Sequence, residues 1–132
     1  MIFHGDHLSS SRFPELFLAF LDKHKPTALF LNSDSAAFRV LPLLEQRGVH
    51  IPQDISIAGF DSLWLPFDIN PLNLTSIVQD FPRLGQEAGR AVVEMIRNPR
   101  HEPVHIRVPV TLHVGETTVP LKGLFTRKES TM

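Results

Sequence analysis

Two apolar runs in this chain stop abruptly on polar side chains that could hold a ligand. The run in TALFLNSD turns polar at Asn32, Ser33 and Asp34, and the run in DISIAGFD ends on Asp61, followed by Ser62. A buried carboxylate without a partner is costly. An acid that closes an apolar strand is therefore either loop punctuation or a group placed for a ligand. If both runs are parallel strands, their ends share one edge of a sheet, and open α/β sheets bind ligands beyond that edge. A carboxylate there accepts hydrogen bonds from ligand hydroxyls or amines, which suits a sugar or a small polar nitrogenous molecule. The bland alternatives stay open on pattern alone: Asp34 caps the next helix, and Asp61 starts a turn.

Other chemistries find less support. The chain has no cysteine, which removes disulfides, thiolate catalysis and cysteine-based zinc sites. HGDH brings His4, Asp6 and His7 close in sequence, and HEPVH spaces His101 and His105 four apart. Pro103 between the latter pair argues against a shared helical face, so solvated loop histidines are expected and no metal or cofactor. There is no G-x-S-x-G elbow and no phosphate loop, and Glu94 has no partner acid nearby. The chain is not expected to be an enzyme.

The elements that must position these residues are legible. The 132 residues, 42% of them hydrophobic, suffice for one small domain with a core. A formal net charge of -1 with no Lys/Arg cluster gives no basic face for nucleic acid. No stretch approaches the roughly 20 apolar residues of a membrane span, and MIFHGDHLSSSRF is unlike a signal peptide. A cytoplasmic location and no membrane partner are expected. The eleven prolines fall between elements as punctuation.

LSSSRFPELFLAFLDKHK reads as a helix, with Ser9, Ser10 and Ser11 offering N-cap oxygens and Pro14 in the first turn. Ala28 to Leu31 reads as a strand. A second helix runs from SAAFRV to a C-cap at Gly48, with Pro42 inside it. DISIAGF is nearly all apolar, as expected of a parallel strand buried on both faces, and completes a βαβ unit. A short strand follows near Leu74 to Val78. Then comes a helix with Leu84, Ala88, Ala91, Val92, Met95 and Ile96 on one face. One or two strands broken by Pro109 close the pattern.

PTALFLNSDSAA, GVHIPQDISIAGFDS, PLNLTSIVQDFPRLGQEAGR and VPVTLHVGETT resemble consecutive blocks of the lactose-repressor/galactose-repressor family of bacterial transcription regulators. The resemblance runs from Gly5 to Thr118 almost without gaps. It implies an α/β, periplasmic-binding-protein-like (type I) fragment, a parallel sheet flanked by helices. Residues 1–118 would be part of an effector-binding domain, mainly its C-terminal subdomain with a crossover helix 81–98. Residues 119–132 would be a disordered tail. The family's helix-turn-helix head, its N-terminal subdomain's first elements and the opening βα of the second subdomain find no match here.

The resemblance also implies roles. Asp61 matches the effector-binding acid, Ser33 a ligand-contacting polar position and Gln79 a crossover residue lining the cleft. His7 falls where an aromatic stacks on the ligand, and Asp34 joins the set as the neighbouring tip acid. Gly115 stands where the family carries an arginine. Phe38 and Leu41, with Trp64, Leu65 and Ile69, fall in segments that form dimers. The implied partners are a small effector, a sugar or purine-like molecule, a second copy of the chain, and DNA only through a head absent from these residues. Two further readings remain: a transporter's sugar-binding protein, and a truncated regulator acting only as a dimerisation module.

Overall fold

The computed structural model describes residues 11–61, 72–99 and 103–120. Its first helix, α1 (Phe13–His24), carries Pro14 in the opening turn, where a missing N–H breaks no helical bond. Ser11 does not cap it. Arg12 holds the N-cap position without a side-chain cap bond, and its guanidinium reaches Glu15 at 3.3 and 3.2 Å instead. Ser9 and Ser10 lie outside the described residues. Lys25 closes the helix in the left-handed region at φ 43°, its N–H donating to the Leu21 carbonyl.

A short strand, β1 (Ala28–Phe30), leads into α2 (Asp34–Gln46). Ser33 is the N-cap: its hydroxyl oxygen accepts from the Ala36 N–H at 3.1 Å, satisfying one of the orphan donors of the first turn. Pro42 sits inside α2, yet the helix runs past it to Gln46. Beyond Arg47 the chain turns at Gly48, φ 66°. Gly48 N–H bonds to Glu45 O at 2.9 Å and Val49 N–H to Leu44 O at 3.0 Å, the paired bonds of a Schellman stop that favours glycine. In the following turn, the His50 N–H donates to Asp54 Oδ2 at 2.8 Å. That hydrogen bond, helped by the His50 ring, holds the Asp54 carboxyl below its ordinary pKa.

β2 (Ser56–Asp61) lies between β1 and β3 (Thr75–Val78), parallel to both, and β4 (Thr111–His113) adds antiparallel to β3. α1 and α2 cover one face of this sheet. The core between them is Phe13, Phe17, Ala37, Val40, Leu44, Ile55, Ile57 and Leu74. The apolar run of β2 led to the expectation of burial on both faces, and this is corrected. Ile57 and Gly59 are buried while their neighbours Ser56, Ala58 and Phe60 are half-buried. Phe30, on the same face as its ladder partner Ala58, stays 67% exposed. No described helix lies over that face.

Thr117, with no exposed surface, ties the chain's late segment between β2 and β3. Its hydroxyl donates to Ile57 O at 2.7 Å and accepts from the Thr75 N–H at 2.9 Å. Its carbonyl takes the Ile57 N–H at 2.7 Å. Gly115, two residues earlier, has a steric reason to be glycine: a Cβ there would fall on the Asn73 carbonyl oxygen.

α3 (Phe81–Arg97) is capped by Asp80, whose Oδ1 accepts from the Arg83 N–H at 2.9 Å. It has the expected apolar stripe but no buried residue. Val92, Met95 and Ile96 are 55%, 61% and 73% exposed. An exposed side chain contributes little to folding. Ile96→Lys is therefore expected to change the unfolding free energy by less than about 0.5 kcal/mol in a urea titration. A large loss would mean the stripe is buried in solution. No helix among the described residues is long and apolar enough to cross a membrane.

Candidate functional site

The parallel register decides which side chains meet at the sheet edge. Phe30 pairs with Ala58 and Ala58 with Thr75. Counting forward from that row, Ser33 and Asp61 each lie three residues on and Gln79 four. Three carboxyl ends thus deliver three polar side chains to nearly the same level, as the strand-end argument requires.

Asp61 and Gln79 are joined directly. Gln79 Nε2 donates to Asp61 Oδ1 at 2.6 Å, and both residues are half-buried. Asp61 holds φ 93°, a region that costs a non-glycine residue about 1–3 kcal/mol. Beyond that hydrogen bond, Asp61 Oδ2 and the Gln79 amide oxygen are acceptors by type. Phe81, two residues beyond Gln79 and 51% exposed, adds an aromatic surface after the tip. It was not singled out from sequence because it also reads as the first residue of the α3 stripe.

Ser33 reaches the same edge, but its hydroxyl oxygen is already the cap acceptor of α2. A hydroxyl can still donate outward. Asp34, expected as an effector contact, is placed otherwise. It is 3% exposed, and its Oδ1 accepts from Ser76 Oγ at 2.6 Å. The first turn of α2 folds it inward over the sheet, so its carboxylate lies beneath the edge rather than on it. His7 lies outside the described residues.

Sequence reasoning missed Ser76 and Gly59, which meet that carboxylate. A signal existed in LTSIV, where two hydroxyls interrupt an apolar strand and each, once buried, needs a partner. Among the described residues no three His, Asp or Glu side chains gather to hold a metal.

A hollow of about 680 Å³ lies away from this edge, at the amino-terminal side of β2. Phe38, Leu41, Pro42, Val49, Ile51 and Leu72 supply its apolar lining. It therefore takes in two of the expected dimer residues, Phe38 and Leu41. The others, Trp64, Leu65 and Ile69, lie outside the described residues.

Residues 5–118 match the periplasmic binding protein-like domain. The chain is 36% identical over 101 residues to the HTH-type transcriptional repressor PurR of Aliivibrio salmonicida, covering 76% of this chain and 30% of that protein. A LacI family transcriptional regulator from Enterococcus faecium, solved with bound ribose, superposes with a TM-score of 0.69 at 32% identity. The match covers 86% of this chain and 42% of that one. A second ribose-bound regulator of that family, from Enterococcus faecalis V583, gives a TM-score of 0.71 at 30% identity over the same shares. The chain thus spans under a third of the curated relative and under half of these two solved chains.

Proposed function

The chain belongs to the periplasmic binding protein-like domain family, as part of the effector-binding domain of a LacI-family transcriptional regulator, and from that premise we propose that its Ser33–Asp61–Gln79 edge is one wall of the effector site. The observation that carries this reading is the Gln79–Asp61 hydrogen bond at the strand ends, with Asp61 held in a costly backbone conformation. Strain of that kind persists where the surrounding structure imposes it, and it clusters at ligand sites. A carboxylate and an amide oxygen at the strand ends suit ligand hydroxyls or ring N–H groups, which a pentose or a polar nitrogenous ring supplies. The two related regulators solved with ribose support the sugar as the first ligand to try.

Residues 1–118 act in this reading as the sensor portion, and α3 carries the chain toward the other half of the cleft. Its exposed stripe is the surface that half covers, which burial of several large apolar side chains favours. Effector binding then selects one arrangement of the two halves through its higher affinity for that arrangement. DNA contact is made by a helix-turn-helix head, for which these residues carry no match. Dimerisation through the Phe38–Leu41 face is part of the same proposal, supported by the apolar hollow there.

The test is a calorimetric titration of the chain with D-ribose and, in parallel, hypoxanthine. One of the two is expected to bind, and Asp61→Ala should weaken it by about 10- to 100-fold, since hydrogen bonds to a charged group contribute about 1.5–3 kcal/mol each. Binding that survives Asp61→Ala unchanged, or no response to either compound, sinks the reading.

A further inference from the structure

Beneath the edge residues lies a buried acid that touches the elements carrying them. Asp34 occupies the first position of α2, next to the cap Ser33. Its Oδ1 accepts the Ser76 hydroxyl at 2.6 Å. Gly59, the register partner of Ser76, lies so close that a Cβ on it would overlap Asp34 Oδ1 and approach Asp34 Cγ to 3.2 Å. Gly59 stands two residues before Asp61 and Ser76 three before Gln79. Asp34 and Ser76 are 3% and 2% exposed.

Resting on the reading of this edge as the effector wall, we infer that Asp34 is a positioning residue, a buried strut that fixes the ends of β1, β2 and β3 relative to one another and so sets the Ser33, Asp61 and Gln79 side chains. It does not touch the ligand. A hydrogen bond to an ionised group is short and directional, and glycine at 59 lets the carboxylate rest against the backbone of the central strand. A change at Asp34 or Ser76 is thereby transmitted to the Asp61–Gln79 pair through two short stretches of strand. The arrangement also explains why an acid follows Ser33 although Ser33 already caps α2.

The test reads the ¹⁵N–¹H signals of the Gln79 side-chain amide in the full chain without ligand, together with thermal melting and the D-ribose titration. Ser76→Ala removes the strut's hydrogen bond with little change of volume. It is expected to move the Gln79 amide signals and to weaken ribose binding about five- to tenfold, less than the bond itself contributes because its loss reaches the ligand only through the strand ends. Asp34→Asn, nearly isosteric, should move the signals the same way by less. A role in stability alone would lower the melting temperature and leave the Gln79 signals in place. Unmoved signals in either folded variant overturn the inference, and Asp34→Asn decides should Ser76→Ala fail to fold. If the wild-type chain ignores ribose, the functional reading loses its support for that sugar, while the Gln79 signals still decide the role of Asp34.

Discussion

Thr117→Val lowers the unfolding free energy by about 2–5 kcal/mol, because two buried backbone groups lose their partner at once and each unsatisfied group costs about 1–3 kcal/mol. Valine matches threonine in shape, so no cavity forms, and the loss isolates the hydroxyl. That hydroxyl both donates to Ile57 O and accepts from the Thr75 N–H. The site has no exposed surface through which water could replace it. Against a typical total of about 5–15 kcal/mol, the loss is a large share. Urea unfolding followed by circular dichroism measures it. Thr117→Ser, which keeps the hydroxyl, should recover most of the stability. Thr118→Ala should cost less, since the half-buried Thr118 bonds only to another side-chain hydroxyl, that of Thr75, at 3.0 Å among the contacts described. Equal stability of Thr117→Val and the wild type would show that the late segment does not sit between the strands in solution.

Gly59→Ala is expected to cost about 3–5 kcal/mol. The new methyl meets Asp34 Oδ1 and comes within 3.1 Å of Leu74 Cδ2. Overpacking of this kind costs about 1–3 kcal/mol, and pushing the carboxylate off Ser76 forfeits a charged hydrogen bond of about 1.5–3 kcal/mol. Gly85→Ala supplies the contrast. A Cβ there meets nothing within 4 Å on a helix, and alanine is the better helix former by about 0.5–1 kcal/mol. The same substitution should therefore destabilise at one glycine and stabilise at the other. Urea midpoints of the two variants, bracketing the wild type, are the check. A Gly59→Ala midpoint at or above the wild type would mean that Asp34 does not pack on β2.

The order of elements followed from periodicity and punctuation. Pro14, the polar stop after Leu31, Gly48 and the stripe beginning near Leu84 each act within a few residues of themselves. Such local signals survive without knowledge of the fold. They placed the βαβ unit and α3 to within one or two residues. Ser11 misled because cap propensity is shared by any serine near a helix start, and the choice of Arg12 rests on where the chain first turns helical.

The site was legible at a coarser grain. Asp61 stands out as a polar residue closing an apolar strand, and the resemblance to known regulators pointed to it again and added Gln79. That they hydrogen-bond to each other depends on the β2–β3 register, which pairs Asp61 with Val78 and which no local pattern encodes. Asp34 shows the same limit from the other side. On the sequence it is one more polar residue at a strand end, next to Ser33. Only the inward turn of α2 buries it over Gly59 and Ser76, far away in the chain.

By itself, then, the sequence determined the elements, their order and the strand ends where a ligand could be held, since these follow from short-range propensity and hydrophobic period. The tertiary structure alone decided which tip residue faces outward and which lies beneath. It also decided that Thr117 serves two strands at once, and that one sheet face and the α3 stripe stand uncovered among the described residues. Those outcomes depend on contacts between residues some 40 to 60 positions apart, such as Asp34 with Ser76 and Thr117 with Ile57. Burial and hydrogen-bond partnership are properties of the packed neighbourhood, and a neighbourhood exists only once the strands have found their register.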